Sequence, residues 1–551
     1  MKKIIFLLIL ILNTKLGFVQ ELNNYTESAF VNIDRSIYIS GESIRFASTV
    51  WSNKDLLSKI LYVELINPTG KQIVGKKYQI KDSKCSGEVL IPENLQTGNY
   101  YIRVYTKFMR NYDPYTYGYQ FIKIVNPYSS DIQNDFNEIN KSDTVSLESY
   151  VTNQKGFKIQ INDTVCFTRD NINIKVSKIF PEPIISVSFT VSPSNSVNFQ
   201  NLISERQFIP VNKFIAETRG ITLTGLLQNK QNSEPIPGKR VNLSILENDK
   251  NTFYSVYSDT EGRFYFTLPD MIGNRDLFLS AEEIQDVTPE MLVDNDFCTD
   301  DILLPNPKFR LSSEEKDIAY SMAINCKVQD QFLKNEQIAR GDLGLIEIDT
   351  VPFYGKPTSI VNIDDYIAMP TLEDYFNEIS FSAGIRKVNG KKQFKIFGDR
   401  PELALYDPLI MVDLVPINNI DDILKASPKD ISRIEIVAAP YILGNIIYGG
   451  IMNIISRRND IAGIKLPKTG IFLNYTFFKD EKDAKFKISD SRNIPDARNT
   501  LYWNSDLKFD NSNTANISFR TSDMKANYTI YVTGISKSGK VVSASLNFEV
   551  K

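Results

Sequence analysis

The sequence predicts a multidomain, mainly β protein: β-sandwiches in series, a small α+β domain inserted among them, and a short helical linker. Three observations carry this. Short runs of alternating apolar residues recur along most of the chain, separated by Gly, Pro and Asn turns, which is how sandwich strands read. Residues 407–456 depart from that rhythm and read strand, helix, strand. The chain has 551 residues, and a domain commonly holds about 100–200, so several domains are expected.

The first element is a leader. Lys2 and Lys3 precede an unbroken apolar run over residues 4–12, and small or polar residues follow to Gln20. This is the layout of a secretory signal peptide, assigned to residues 1–20. An anchor helix is the alternative, but the run falls short of the roughly 20 apolar residues that span a bilayer. No cysteine near the cleavage site suggests a lipid anchor, and no later segment reads as a transmembrane helix. The mature chain is expected to be exported, to the periplasm or the periplasmic face of the outer membrane.

Composition then removes several chemistries. The net charge is −3, and it becomes more negative once Lys2, Lys3 and Lys15 leave, which argues against nucleic-acid binding. Histidine is absent, which removes the commonest general base, the usual zinc ligand and every Ser-His-Asp or Cys-His arrangement. Cys85, Cys166, Cys298 and Cys326 are scattered without CxxC spacing. Two disulfides and buried free thiols both remain open.

Residues 21–128 form the first predicted sandwich. Asp34-Arg35-Ser36-Ile37-Tyr38-Ile39-Ser40-Gly41-Glu42 resembles the opening strand pair of macroglobulin-type domains, known from alpha-2-macroglobulins. Leu95-Gln96-Thr97-Gly98-Asn99-Tyr100-Tyr101-Ile102-Arg103-Val104-Tyr105 resembles the penultimate strand of the same domain. Tyr115, Tyr117, Tyr119 and Phe121 alternate, so on a strand they share a face, as a core ladder or as an exposed strip for a partner or glycan. Residues 129–218 read as a second β-domain. Residues 219–285 carry Gly225, Pro235-Ile236-Pro237-Gly238 and Asp259-Thr260-Glu261-Gly262. The last of these predicts a hairpin turn. The whole resembles the carboxypeptidase regulatory-like domain, a small sandwich without catalytic residues.

Residues 286–342 are a linker. Asp294, Asp296, Asp300 and Asp301 lack the spacing and glycine of a calcium loop and read as solvated. Ser312-Ser313-Glu314-Glu315 starts a helix whose apolar face is Ile318, Met322, Ala323 and Cys326.

Residues 343–462 hold the α+β domain. A strand over residues 408–412, a helix over 420–425 and Asp430-Ile431-Ser432-Arg433-Ile434-Glu435-Ile436-Val437 come in order. Tyr441-Ile442-Leu443-Gly444 and Tyr448-Gly449-Gly450-Ile451-Met452-Asn453-Ile454 follow. These landmarks resemble the plug of TonB-dependent receptors. One departure stands out: Leu414 replaces the family's turn glycine, and a leucine takes positive φ only at a cost, so a different turn is expected. No TonB-contact peptide is evident near the mature N-terminus. Such receptors close with about 22 strands of roughly 9–11 residues each, so no barrel is expected here.

Residues 463–551 form a C-terminal macroglobulin-type segment. It resembles that family at Tyr502-Trp503-Asn504 and at Phe519-Arg520-Thr521-Ser522-Asp523. It is too short for a full sandwich, and either residues 470–478 or strands before the plug-like domain complete it. Together the modules resemble exported proteins of Bacteroidetes-type bacteria. Sandwiches in series present edges and loops to partners, and a plug-like unit suits another protein's channel, so a non-enzymatic binding or accessory protein that docks on an outer-membrane barrel or envelope complex is expected.

A thioester-less macroglobulin-like endopeptidase inhibitor and the plug of a split TonB-dependent uptake system are the alternatives. The covalent form of trapping is excluded, because no cysteine is followed by Gly-Glu-Gln. No catalytic, cofactor or metal residue is assigned. Asp413, Arg433, Glu435, Tyr448 and Asn453 are the expected partner contacts.

Overall fold

A computed structural model of the chain describes residues 25–133, 145–149, 156–204, 213–247, 251–337, 352–379, 382–388, 390–479 and 494–551. The assigned leader, residues 1–20, lies outside them. The chain is a multidomain, mainly β protein, and it divides into two compact units. One comprises Met1–Arg219, Phe297–Leu343 and Phe478–Lys551; the other comprises Gly220–Asp296 and Gly344–Phe477.

The first unit contains two sandwiches. In the first, strands Glu27–Ile33, Ser43–Ser52 and Lys84–Leu90 form one sheet. The facing sheet runs Gln72–Gln79, Ile60–Ile66, Gly98–Tyr105, Gly118–Val125, Gln200–Ser204 and Val145–Ser149. Inward residues such as Val31, Phe46, Val63, Ile102 and Ile122 are buried between them, because alternation puts every second side chain on the inner face.

The second sandwich corrects the expected boundaries. Strand Asn171–Lys178 lies between Phe157–Ile161 and Thr514–Arg520, pairing with both, and Ile184–Pro193 pairs with Ala526–Ser536 and Tyr502–Asn504. Residues 129–218 therefore do not form a domain alone. Their first and last strands extend the first sandwich, and their middle strands join the C-terminal segment. Residues 470–478 do not complete that segment: Ile471–Thr476 pairs instead with Asn274–Ala281 in the other unit.

Helix Ser313–Gln337 packs Ile318, Ala319 and Met322 into the second sandwich's core. It is capped as its sequence predicts, with Ser312 Oγ accepting from Glu315 N (3.1 Å) and Glu315 Oε2 accepting from Ser312 N (2.9 Å).

The motif 34–42 forms the joint between these two sandwiches. Asp34 and Arg35 are buried, and Arg35 Nη2 donates to Glu42 Oε1 at 3.0 Å. Thr500 Oγ1 donates to Asp34 Oδ2 (2.7 Å), and Asn499 Nδ2 donates to Glu42 Oε1 (2.8 Å) and to Met322 O (3.2 Å). One polar cluster thereby ties the opening strands, the C-terminal segment and the helix.

The aromatic strip is not free for a partner or glycan. Pro114–Thr116 is a 3-10 turn, the strand begins at Gly118, and Tyr117, Tyr119 and Phe121 are buried. The linker lies against this face: Cys298 N donates to Tyr105 Oη (2.8 Å), Leu303 N to Tyr115 Oη (2.9 Å), and Asn99 Nδ2 to Pro307 O (2.6 Å). All four cysteines are described, and none is in a disulfide.

The second unit pairs a sandwich with the α+β domain. Thr222–Asn229, Arg263–Thr267 and Pro289–Val293 form one sheet; Thr252–Tyr257, Arg240–Leu246, Asn274–Ala281 and Ile471–Thr476 form the other. The turn at Asp259–Gly262 has the expected chemistry, with Asp259 Oδ1 accepting from Glu261 N and Arg263 N and Gly262 at φ 74°. It joins strands of different sheets, however, so it is a crossover and not a hairpin. The acidic stretch is dispersed: Thr224 Oγ1 donates to Asp294 Oδ2 at 2.6 Å, and Tyr475 donates to Asp296.

The α+β domain is a five-stranded sheet in the order Ser359–Asn362, Ile431–Val437, Ile451–Ser456, Leu409–Val412, Val415–Pro416. One face buries Val412, Ile434, Ile436 and Ile454 against helices Leu372–Glu378 and Ile420–Leu424. The other face carries Met411 and Ile451, covered by Tyr354, Phe253 and the hairpin Tyr441–Tyr448.

Candidate functional site

Asp413 and Leu414 are the two central residues of the tight turn between Leu409–Val412 and Val415–Pro416, with Val412 paired to Val415. Their φ values are 49° and 62°, so both are left-handed, as in a type I′ turn. The expectation that leucine would force a different turn is therefore overturned. Aspartate tolerates this conformation; leucine pays about 1 kcal/mol or more for it. Tertiary bonds hold it there: Leu414 N donates to Asn453 Oδ1 (3.1 Å), Ser244 Oγ donates to Leu414 O (2.8 Å), and Asn251 Nδ2 donates to Asp413 O (2.5 Å). The leucine side chain is buried beside Met411 and Ile451.

Asp413 is 2% exposed and is the hub of the site. Its carboxylate accepts from Ser456 N (2.8 Å), Ser456 Oγ (2.6 Å) and Ile461 N (2.9 Å). The chain it holds is itself left-handed at Asn459 (φ 52°), Ile461 (φ 63°) and Ala462 (φ 51°). A buried carboxylate is thus spent on fixing two strained turns.

A second line of bonds crosses the sheet face away from the helices. Asn453 and Glu435 are register partners on adjacent strands. Asn453 Nδ2 donates to Tyr354 Oη (3.0 Å), Tyr354 Oη donates to Glu435 Oε2 (2.5 Å), and Arg433 Nε donates to Glu435 Oε1 (2.7 Å). Burial, with the Glu435 carboxylate beside it, raises the Tyr354 hydroxyl's pKa, so it stays a donor. Tyr448 closes the face from the hairpin side and is fully buried. Burial raises its pKa too, offset in part by Ser255 and Arg240.

Four of the five expected partner contacts, Asp413, Glu435, Tyr448 and Asn453, are therefore buried, and only Arg433 reaches solvent. The structure does bring them together: three join one internal network with Arg433, and Tyr448 packs on the same side of the sheet. Alternation makes this intelligible, since Arg433, Glu435 and Asn453 occupy positions whose side chains leave the helix-covered face. Sequence reasoning missed Tyr354, Ser456 and Asn251. Tyr354 sits in an aperiodic stretch, and the other two bond across long sequence separations. Among the described residues no group of three His, Cys, Asp or Glu could hold a metal.

No family model matches the chain, and no curated protein matches it. Among solved structures it is similar to Salmonella alpha-2-macroglobulin reacted with methylamine, at 11% identity and a TM-score of 0.16, covering 96% of this chain and 23% of that one. It is similar to Escherichia coli alpha-2-macroglobulin activated by porcine elastase, at 9% identity and a TM-score of 0.22, covering 95% and 44%. Dimeric latent PorU from Porphyromonas gingivalis gives 8% identity and a TM-score of 0.15, covering 52% and 34%. The chain thus spans less than half the length of these macroglobulins. At such scores the whole chains do not superpose, and no role is taken from them.

Proposed function

We propose that this is an exported, non-enzymatic binding or accessory protein that docks on an outer-membrane barrel or another envelope protein through its α+β domain. One observation supports the reading. Hairpin Tyr441–Leu443/Ile446–Tyr448 turns Tyr441, Leu443, Ile446 and Tyr448 inward, while the register pair Ile442 and Ile447 faces out, at 67% and 39% exposure. An outward isoleucine pair on a hairpin contributes nothing to the domain's own core, and about 25 cal/mol per Å² becomes available when a partner covers it. Among the described residues no helix is long and apolar enough to cross a membrane, so attachment through a partner suits the reading.

A photo-crosslinking residue at position 442, irradiated in intact envelopes, tests it. The expected adduct is a heat-modifiable barrel protein, lost when Ile447→Asp is added. Adducts confined to soluble chaperones would remove the proposal.

A further inference from the structure

The second unit contains a cavity of about 160 Å³ that the docking reading does not use. Its walls come from the sandwich (Arg240, Asn242, Glu282) and from the α+β domain (Leu409, Ile410, Pro416, Ile417, Tyr448). Tyr448 is 0% exposed, and its hydroxyl, although close to Ser255 and Arg240, makes no well-aligned hydrogen bond. A buried hydroxyl left unpaired costs about 1–3 kcal/mol, so a filled site is the better state for it.

The other polar groups at the cavity point to the sign of what fills it. The Arg240 guanidinium lies 5.7 Å from the centre of the Tyr448 ring. It is only loosely paired, with Nε 3.6 Å from Glu282 Oε2, and Lys239 Nζ also stands 3.6 Å from that carboxylate. Lys239 thus shares the Glu282 carboxylate from outside the cavity, which leaves the Arg240 guanidinium less than fully paired. Asn242 Oδ1 already accepts from Ser255 Oγ at 2.7 Å, which leaves the amide N–H group as a donor at the wall. Donors therefore dominate: a guanidinium, a phenol and an amide. Asn418 adds a second amide, and the remaining walls are apolar or proline, which has no N–H to offer.

We propose that this cavity binds a small carboxylic acid, its carboxylate held by Arg240 and the Tyr448 hydroxyl and its short apolar portion against Ile410 and Ile417. Guanidinium–carboxylate pairing is the strong, geometrically specific form of this recognition. The proposal is independent of any docking partner.

The test uses the whole mature chain, methyl-labelled at isoleucine, titrated with propionate and succinate at constant ionic strength and with propionamide as the uncharged isostere. Saturable shifts at Ile410 and Ile417 are expected from the acids and not from the amide. Arg240→Gln should weaken binding at least tenfold, and Tyr448→Phe several-fold. Because the ring stays in place, Tyr448→Phe should leave the ligand-free melting temperature unchanged or higher. Equal shifts with propionamide, or shifts that never saturate, overturn the proposal. So does a ligand-free Tyr448→Phe protein that is less stable, since that hydroxyl would then already have its partner.

Discussion

Asp413→Ala is the most informative single change. It removes three accepted hydrogen bonds, from Ser456 N, Ser456 Oγ and Ile461 N. The serine hydroxyl can turn elsewhere, but the backbone N–H groups of buried Ser456 and half-buried Ile461 both lose their acceptor. Each orphan costs about 1–3 kcal/mol, and alanine tolerates the φ of 49° less well than aspartate, at about 1 kcal/mol more. The terms share one site and do not simply add, so a loss of about 3–5 kcal/mol is expected. Asp413→Asn keeps an acceptor oxygen and the tolerance of positive φ, and should lose about half as much.

Hydrogen exchange at residues 409–416 and 451–463 reads the effect directly, because both turns open together if the carboxylate holds them. Trp51 and Trp503, the protein's two tryptophans, both belong to the other compact unit, so their emission reports that unit separately. A loss below about 1 kcal/mol, or an Asn variant as damaged as the Ala variant, would refute the assignment of Asp413 as the hub.

Three further predictions follow from the same reasoning. Leu414→Gly relieves about 1 kcal/mol of backbone strain at φ 62° but deletes a buried side chain worth about 2–5 kcal/mol, so calorimetry should show a net loss; a gain would mean the strain dominates. Arg35→Met leaves the Glu42 carboxylate without its cation and buried Asp34 with only Arg45, at 3.7 Å, and should cost about 3–5 kcal/mol in urea unfolding followed by tryptophan emission; an unchanged midpoint would dismiss the joint. Burial pushes Tyr100, Tyr112 and Tyr528 up to about 12, from an ordinary value near 10. Their protonated forms therefore stabilise the fold fully below pH about 10, and that stability is lost as pH rises towards 12. Tyrosinate absorbance and tryptophan emission should change together in that window, and full ionisation near pH 10 in a still-folded chain would contradict it.

What was legible in the sequence followed from local chemistry. The helix start at Ser312 to Glu315 needs only neighbours three positions apart, and helix Ser313–Gln337 begins there. Strand alternation likewise survives translation into structure, so the β class was readable. Pairing was not, because nothing local in Asn171–Lys178 names Thr514–Arg520 as its neighbour. The Leu414 turn failed for the same reason. Local preference asks for glycine, while Ser244, Asn251 and Asn453, all distant in sequence, impose the conformation. Among the expected contacts, Asp413 and Asn453 were named as landmarks of the plug-like resemblance, but both are buried and support turns instead.

The interrupted architecture of the first unit also sets an order of events during biosynthesis. Strands 171–178 and 184–193 emerge early, yet one neighbour of the first and both neighbours of the second lie between residues 502 and 536. A nascent chain must therefore keep those edges from aggregating while some 300 residues are still to be made, whereas every strand of the other unit has been synthesised by residue 476. Residues 502–536 thus close what residues 171–193 began.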